Sequence, residues 1–246
     1  MFLFLSGILI GIFSAILGFG GGIFIVPLLV YYKISIHKAI GTSVVCISFT
    51  SLSATVSYTY QKKIYYKKGI FIALFSTIGA WFGAQLTSLF SKKFLQGIFG
   101  CFLMFLSIKL FLLNQKRSTM YIPESKFKNF FIVGTLSFLA GVLAGFLGIG
   151  GGIIFVPLLT GFSLPIHNAV ATSSFLVWIT SVVGAFKHYL LKNVELKVLW
   201  FLVPGLIIGA QVGALLIKRI SAKKLKYLLG VVLILISIKF IWESIF

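Results

Sequence analysis

The sequence predicts an all-α polytopic membrane protein made of two tandem repeats. Three observations predict it. The chain is 59% hydrophobic and only 10% charged, residues 1–32 and 129–186 contain no charged side chain, and one glycine-rich stretch occurs twice. A bilayer is crossed by roughly 20 apolar residues, whereas a soluble domain is about 25% charged. We therefore predict a multi-pass protein of the cell (plasma) membrane, surrounded by lipid.

The glycine-rich stretch is Gly18–Leu29, and it recurs 130 positions later as Gly148–Leu159, with 9 of 12 positions identical. Each copy contains four glycines and one proline, which are unfavourable inside a continuous helix. A broken backbone at membrane depth is tolerated only where it is buried in protein or lines a wet cavity. Two such breaks predict a binding site between two repeats.

The same register continues without a gap beyond the glycine stretch. Matched positions are His37 with His167, Thr42-Ser43 with Thr172-Ser173, Thr50-Ser51 with Thr180-Ser181, and Lys93 with Lys223. A tandem duplication explains so long a shared register. We therefore divide the chain into a first transmembrane repeat at 1–113, a basic linker loop at 114–128 and a second transmembrane repeat at 129–246.

Each repeat is predicted to hold about four transmembrane helices and one glycine-rich broken or re-entrant segment. An uncharged helix comes first, and after the break a short apolar piece follows that is only half a bilayer long at about 1.5 Å per residue. A loop with a histidine leads into a helix rich in Ser and Thr, a basic turn leads into the third helix, and Ser91-Lys-Lys93 precedes the fourth. The predicted helices are 2–17, 39–60, 70–90 and 94–113, with counterparts at 130–147, 169–190, 198–217 and 225–245, and the short pieces are 23–32 and 153–162.

Loop charge favours the linker side as cytoplasmic but leaves the relative orientation of the repeats open. If the repeats are parallel, the 22 Lys and Arg residues divide 13 to 9 between the two sides, and if they are inverted they divide 14 to 8. Both divisions place more positive charge on the linker side, which the positive-inside rule assigns to the cytoplasm.

The net charge of +19 does not indicate a nucleic-acid partner. The basic residues lie mostly in short clusters between apolar runs, at 61–69, 114–128 and 218–226. That pattern is typical of loops at an anionic membrane surface.

Few side chains could perform catalysis. The chain has only three acids, Glu124, Glu195 and Glu243, and none lies in the middle of a predicted span. This argues against a paired-carboxylate catalytic site, a carboxylate metal cage and a buried acid relay. Neither a phosphate-binding Gly-x-x-x-x-Gly-Lys-Ser/Thr loop nor a Gly-x-Ser-x-Gly elbow occurs. We therefore expect that the protein is not an enzyme and that it has neither a metal site nor a cofactor.

The breaks could instead form an anion site without charged side chains. Free backbone N–H groups and positive helix ends attract an anion, and the hydroxyls of Thr42, Ser43, Thr172 and Ser173 could add donors. The alternative is that the glycines only permit close helix packing, which is the interpretation we favour for Gly79-x-x-x-Gly83 and its counterpart at 209–213.

Two histidines, His37 and His167, could contact the anion or carry a proton. Alternatively, they are interfacial loop residues. A third, His188, is matched by Tyr58 in the repeat register, so the duplication does not support a site there.

A glycine-rich break followed by Val-Pro-Leu-Leu, then His-x-Ala and Thr-Ser, once in each half, resembles the TauE/SafE family of sulfite exporters. The resemblance covers nearly the whole chain. It implies a transporter of two related halves, with small sulfur-containing anions such as sulfite or organosulfonates as substrates. The motif residues that it carries over are Gly20, Gly21, Gly22, Pro27, Thr42 and Ser43 in the first half, with Gly150, Gly151, Gly152, Pro157, Thr172 and Ser173 in the second.

The sequence therefore favours a secondary transporter of a small anion that works by alternating access between the repeats and possesses no ATPase motif of its own. An anion channel or passive pore built from the same breaks is one alternative. A membrane scaffold subunit without transport activity is another, and homo-oligomers are compatible with all three.

Overall fold

The described part of the chain is helical throughout. The computed structural model describes residues 2–112, 126–162, 164–216 and 222–245, which form ten helices and no strand. The helices are α1 (Phe2–Leu17), α2 (Gly22–Tyr31), α3 (Ile36–Tyr60), α4 (Tyr66–Thr87), α5 (Lys92–Leu112), α6 (Lys126–Leu147), α7 (Gly152–Gly161), α8 (Ile166–Leu190), α9 (Leu196–Leu216) and α10 (Ala222–Ile245). Four of them, α3, α4, α8 and α9, are long and apolar enough to cross a membrane.

Most predicted boundaries lie within four residues of the observed ones, and the largest differences are at helix starts. The helices predicted to begin at 39 and 169 begin at Ile36 and Ile166. His37 and His167 therefore lie in the first turns of α3 and α8, where we had predicted loops. The predicted basic turn at 61–68 is also shorter, because α4 begins at Tyr66. Most of the predicted linker, 114–128, lies outside the described residues.

Glycine stereochemistry explains why the chain leaves the helical conformation between α1 and α2. The φ angles of Gly18, Gly20 and Gly21 are 69°, 84° and 85°, a region that is costly for residues with a Cβ atom. The glycines at 148, 150 and 151 have φ angles of 67°, 85° and 69°. We call residues 18–21 the first break and residues 148–151 the second break.

The bundle has two ends that are defined by contacts between loops. At one end Asn193 Nδ2 donates to Ser88 Oγ over 3.1 Å, and we call this end the Glu195 face. At the other end Asn168 Nδ2 donates to the carbonyl of Lys63 over 3.0 Å, and we call this end the Lys63 face. Because α3 begins at the Glu195 face while α8 begins at the Lys63 face, these two central helices are antiparallel.

The hairpin of α1 and α2 begins and ends at the Glu195 face. The rings of Phe2 and Tyr32, at its two ends, are 6.2 Å apart. At the far end of α1 the Ala15 carbonyl accepts a hydrogen bond from Tyr58, close to the Lys63 end of α3. The chain therefore runs along α1, turns in the first break and returns along the short α2.

The first helix of each sequence half packs against a helix of the other half. α1 packs against α9, and α6 packs against α4. A Cβ atom on Gly209 would overlap the carbonyl oxygen of Ile8, and one on Gly79 would overlap that of Phe138. The glycines of the Gly-x-x-x-Gly pairs therefore allow backbones to approach closely, as we expected for these positions.

The fourth long helices of the two halves, α5 and α10, form a separate antiparallel pair. The rings of Phe99 and Phe240 are 5.2 Å apart, and Gln96 Nε2 donates to Glu243 Oε2 over 3.2 Å. Among the described residues, this pair is connected to the central helices mainly through contacts between α5 and α3.

Candidate functional site

The two breaks lie against each other. A Cβ atom on Gly22 would overlap the carbonyl oxygen of Gly148, and a Cβ atom on Gly152 would overlap that of Gly18. A Cβ atom on Gly20 would be 3.7 Å from the Cα atom of Gly150. Glycine is therefore required here by space as well as by backbone angle, and two segments 130 residues apart in sequence form one cluster.

The cluster lies halfway along the central helices. Ile47 of α3 and Val177 of α8 would be 2.8 and 2.9 Å from a Cβ atom on Gly20, and both would be 3.3 Å from one on Gly150. Ile47 is twelfth in the 25 residues of α3, and Val177 is twelfth in the 25 residues of α8. The contact between the breaks is therefore enclosed in the middle of the bundle.

Two serines hold the breaks to the central helices. Ser43 Oγ donates to the carbonyl of Gly148 over 2.8 Å, and Ser173 Oγ donates to the carbonyl of Gly18 over 2.9 Å. Both side chains are fully buried. In this conformation each hydroxyl proton is used on a backbone carbonyl, so the serines hold the first residue of each break instead of facing a cavity as donors.

The backbone N–H groups of the breaks are largely unpaired. The amides of Phe24 and Ile25 donate to the carbonyl of Gly21. Within the described chain, the amides of residues 19–23 have no hydrogen-bond partner, and neither do those of residues 149–153. Buried N–H groups are rarely left without partners, so these two sets of donors are candidates for binding an acceptor that is not part of the protein.

Two helix N-termini converge on the same cluster. α2 begins at Gly22 and α7 begins at Gly152, directly beside the contact between the breaks. Each N-terminus carries a positive partial charge of roughly half a unit. The cluster therefore combines unpaired donors with positive potential. The acids Glu195 and Glu243 lie at the ends of helices, far from the cluster.

The two threonines of the predicted site bind loops rather than the breaks. The amide of Glu195 donates to Thr42 Oγ1 over 2.8 Å, and the amide of Tyr65 donates to Thr172 Oγ1 over 3.0 Å. Glu195 and Tyr65 directly precede α9 and α4. Each threonine thus connects a central helix of one half to a helix start in the other half.

The prolines lie beyond the cluster, six residues into the short helices. Pro27 is half-buried, and Pro157 is exposed on the outside of the bundle. Pro157 lines an apolar cavity of about 300 Å³ together with Phe102 and Leu136. A proline at this depth removes one helical hydrogen bond, which leaves the carbonyls of Ile23 and Ile153 without their usual donors.

The histidines of the sequence-based prediction lie at opposite ends of the bundle. His37 is half-buried at the Glu195 face, where its Nε2 atom is 2.9 Å from the carbonyl oxygen of Phe90. His167 is exposed at the Lys63 face. The structure therefore does not bring the two rings together, and both lie one to two turns nearer the bundle ends than Thr42 and Thr172.

The structure draws attention to a residue that sequence reasoning set aside. His188 is fully buried in α8, and its Nε2 atom is 2.8 Å from the carbonyl oxygen of Gly145. Its counterpart Tyr58 donates to the carbonyl of Ala15 over 2.9 Å, and Ala15 is the counterpart of Gly145. Matching the two residues by identity concealed this similarity, whereas matching them by hydrogen-bonding capacity would have found it.

In the described residues no group of three or more His, Cys, Asp or Glu side chains could hold a metal ion. The unpaired donors at the cluster are backbone amides, which suit an anion. These amides make the cluster a candidate site for recognition of an anion by hydrogen bonds.

Comparison with known proteins identifies the family. A family model described as sulfite exporter TauE/SafE matches residues 3–240. The probable membrane transporter protein YunE of Bacillus subtilis is 32% identical, and the match covers 98% of this chain and 96% of that protein. The probable membrane transporter protein MJ0441 of Methanocaldococcus jannaschii is 27% identical, with 94% and 91% covered.

A shorter match links the chain to a plant protein. The sulfite exporter TauE/SafE family protein 3 of Arabidopsis thaliana is 33% identical over 36% of this chain and 18% of that protein. No solved structure matches the chain.

The family match covers nearly the whole chain, including both breaks and the motif residues on which the resemblance was based. Curated relatives are named as probable membrane transporter proteins, and helices of this chain are apolar enough to span a bilayer. This multi-pass membrane protein therefore belongs to the TauE/SafE sulfite exporter family.

Proposed function

We propose that this protein is a secondary transporter that binds a small anion between its two breaks and moves it by alternating access. The observation that carries the proposal is the contact between two sets of unpaired backbone amides in the middle of the bundle. Donors at the N-termini of α2 and α7 would hold the anion. Residues 20–22 and 150–152 supply the donors, while Ser43 and Ser173 fix the carbonyls beside them.

The helix directions support a pair of inverted repeats. α2 with α7 and α3 with α8 have the same bounds after a shift of 130 residues, yet α3 and α8 are antiparallel. Inverted repeats with broken helices at the bilayer midplane are a common design of secondary transporters, in which one repeat moves against the other. In this arrangement the α1–α2 and α6–α7 hairpins are re-entrant from opposite faces.

Contacts at both ends of the bundle support an occluded state. At the Glu195 face, Lys38 Nζ pairs with Glu195 Oε2 over 2.8 Å. At the Lys63 face, Gln61 Nε2 donates to the carbonyl of Ala214 over 3.2 Å. Transport would require these two sets of contacts to open in turn, so that the cluster reaches one side of the membrane at a time.

The substrate class follows from family membership and from the chemistry of the donors. The family name refers to sulfite export. Unpaired amides without a facing carboxylate suit an oxyanion. We therefore propose sulfite, an organosulfonate or a related sulfur-containing anion as the substrate.

Flux into proteoliposomes that contain the purified protein tests the proposal. Sulfite, a short sulfonate and sulfate would be offered with and without a pH gradient. We expect saturable flux of one of them and inhibition by an excess of the same anion. Absence of flux for all three anions, from folded and inserted protein, would contradict the substrate assignment.

The second candidate is an anion channel, which the enclosed donors also favour because filters too are built from backbone groups. The same proteoliposomes distinguish the two functions. A channel gives a current that rises with concentration without saturation, whereas a transporter saturates and exchanges labelled anion across the membrane without net current.

A further inference from the structure

His188 has an unused proton acceptor in the interior of the protein. The side chain is fully buried, and Nε2 is 2.8 Å from the carbonyl oxygen of Gly145. A ring nitrogen that faces a carbonyl oxygen must carry a hydrogen, so in the neutral ring the lone pair is on Nδ1. Nδ1 has no hydrogen-bond partner within the described chain.

The equivalent position in the other half shows which hydrogen bond the fold itself requires at this place. Tyr58 is fully buried and donates to the carbonyl of Ala15, the counterpart of Gly145. One hydrogen-bond donor is therefore sufficient to complete the end of α1. At the end of α6 the imidazole supplies the same donor and adds a basic nitrogen that a phenol lacks.

One group beside the ring, the carbonyl end of α6, would stabilise a temporary positive charge. Gly145 belongs to the last turn of α6, which ends at Leu147, and the C-terminal end of a helix carries negative partial charge. Thr87 Oγ1 lies 3.0 Å from the carbonyl oxygen of Phe146 in the same turn. The second break begins immediately afterwards, at Gly148, so a charge on the ring would lie close to the unpaired amides.

No permanent ion pair holds the ring in one charge state. In the parts of α4 and α6 that surround it, the described side chains are apolar or neutral, as they also are in α1 and α7. At the same end of the bundle α3 carries His37 and Lys38, which contact the Phe90 carbonyl and Glu195 respectively. On α8 itself the neighbouring Lys187 lies over the ring of Trp81, with its ammonium 4.6 Å from the ring centroid.

We propose that His188 is the site at which a proton binds and couples anion movement to a proton gradient, with Nδ1 as the atom that takes the proton. The inference rests on the proposed transport function, whose coupling ion it supplies. His188 lies two residues before Leu190, the last residue of α8 at the Glu195 face, so a small opening of that face would let water reach it. Binding of the proton beside the second break compensates the negative charge of the anion.

The two halves differ at this position, and this difference sets the number of protons that bind in each transport cycle. Tyr58 takes the position of His188 in the first half, so each transport cycle has one such site. For a monovalent anion that moves with one proton, a gradient of one pH unit supports about tenfold accumulation.

The decisive variant is His188→Tyr, which reproduces the natural arrangement at Tyr58, with His188→Gln as a second variant that retains a donor. His167→Asn is the control, because His167 is exposed at the opposite face. Proteoliposomes would be loaded with sulfite, and exchange at equal pH would be compared with accumulation driven by a pH gradient of either direction.

We expect His188→Tyr to exchange sulfite at equal pH within about twofold of wild type and to lose the accumulation driven by the pH gradient, while His167→Asn retains both. Accumulation of the wild-type size in His188→Tyr would overturn the proposal. Loss of exchange in both folded His188 variants would also overturn it, because the ring would then be a structural donor only.

A measurement without transport separates this inference from the proposed function. The chain has only three histidines, so the double variant His37→Gln, His167→Asn leaves His188 as the only imidazole. In the ¹⁵N-histidine-labelled double variant in bilayers, we expect the Nδ1 signal to change from an acceptor to a protonated nitrogen as the pH is lowered from about 8 to about 3. An Nδ1 signal that does not change over this range would overturn the proton site. Wild-type protein that moves no anion but shows this titration would contradict only the proposed transport function.

Discussion

The hydroxyls of Ser43 and Ser173 are small features with a large structural effect. Each one crosses from a central helix of one half to the break of the other half, over 2.8 and 2.9 Å. The carbonyl that accepts the bond belongs to a glycine with positive φ, so it has no helical partner. At the residue scale, these two reciprocal hydrogen bonds therefore fix the backbone of the two breaks.

Removal of these hydroxyls should loosen the breaks. We expect Ser43→Ala and Ser173→Ala each to lower the free energy of unfolding by about 1–3 kcal/mol, because a buried carbonyl loses its donor, and to reduce anion flux. Thermal unfolding in detergent and proteoliposome flux measure the two effects. Ser48→Ala is the control, since Ser48 bonds only within its own helix, to Val45. Equal behaviour of all three variants would contradict the role of the reciprocal bonds.

A single methyl group at the contact between the breaks should be enough to abolish transport. We expect Gly22→Ala and Gly152→Ala to lose flux, because a Cβ atom at either position would overlap a backbone carbonyl oxygen of the other break. Both residues have ordinary helical φ angles, so the effect would report on space. Gly97→Ala is the control, because its Cβ atom would be 3.3 Å from Ser244 Oγ, a contact that a small side chain can relieve. Wild-type flux in Gly22→Ala would show that the breaks are not in contact during transport.

At the scale of helices, the molecule is held together because the first helix of each half packs against a helix of the other half. α1 packs against α9 and α6 against α4, through glycines that bring backbones into contact. Between lipid tails there is little hydrophobic gain from helix association, so close van der Waals packing of small residues provides much of the stability. The halves defined by sequence are therefore interlocked, and the first helix of each half packs mainly against the other half.

A bulky residue in this interface should separate α1 from α9. We expect Gly209→Leu to reduce the amount of folded protein after purification, since a side chain there would overlap the carbonyl of Ile8. Ile208→Leu is the matched control, because Ile208 is exposed on the outer surface of the same helix. Size-exclusion chromatography of the detergent-purified protein would show aggregation of Gly209→Leu alone. A monodisperse Gly209→Leu protein with normal yield would contradict the packing role.

For the whole molecule, the proposed transport cycle depends on which end of the bundle is open. The Glu195 face is closed by an ion pair and by the bond from the Glu195 amide to Thr42, and the Lys63 face is closed by bonds from Asn168 and to Thr172. The ion pair itself is part-exposed, and such pairs contribute only about 0–1 kcal/mol. The ion pair therefore contributes little to keeping the Glu195 face closed, which is compatible with the proposed alternating access.

Reversible cross-linking of the Glu195 face should stop transport. In a background with Cys46 and Cys101 replaced, we expect Lys38→Cys with Glu195→Cys, joined by a short disulfide-containing cross-linker, to lose flux and to regain it after reduction. Each single cysteine variant treated in the same way is the control. Undiminished flux through the cross-linked protein would contradict opening at this face.

The orientation in the membrane is a further prediction at this scale. We expect the Lys63 face to be cytoplasmic, because α5 ends and α6 begins at this end and the basic linker joins them. A membrane-impermeant thiol reagent applied to intact cells should label Asn193→Cys and leave Lys62→Cys unlabelled until the membrane is opened. The reverse pattern would place the Glu195 face in the cytoplasm.

How much could be predicted from the sequence depends on the range of the interaction concerned. The long apolar runs predicted a helical membrane protein, because a bilayer demands that each spanning segment satisfy its own backbone hydrogen bonds. The breaks at Gly18 and Gly148 were visible as clusters of glycine, since the tendency to leave a helix is local. The family motif was likewise visible in both halves.

The sequence could not decide how the halves are oriented or which groups meet. Loop charge gave divisions of 14 to 8 and 13 to 9 that favoured the same side, so the antiparallel arrangement of α3 and α8 required contacts between distant loops. The predicted roles of Thr42 and Ser43 illustrate the same limit. Whether a hydroxyl faces a ligand, a loop amide or a carbonyl depends on a partner more than 100 residues away.

The sequence alone determined the membrane environment, the helical class and the positions of the breaks, because these follow from composition and from local backbone preference. Only the tertiary structure decided that the two breaks touch, that Ser43 and Ser173 cross between the halves, and that His188 takes the place of Tyr58 with one nitrogen unused. These features arise from packing between segments about 130 residues apart, and packing at that range has no signature in any single stretch of chain.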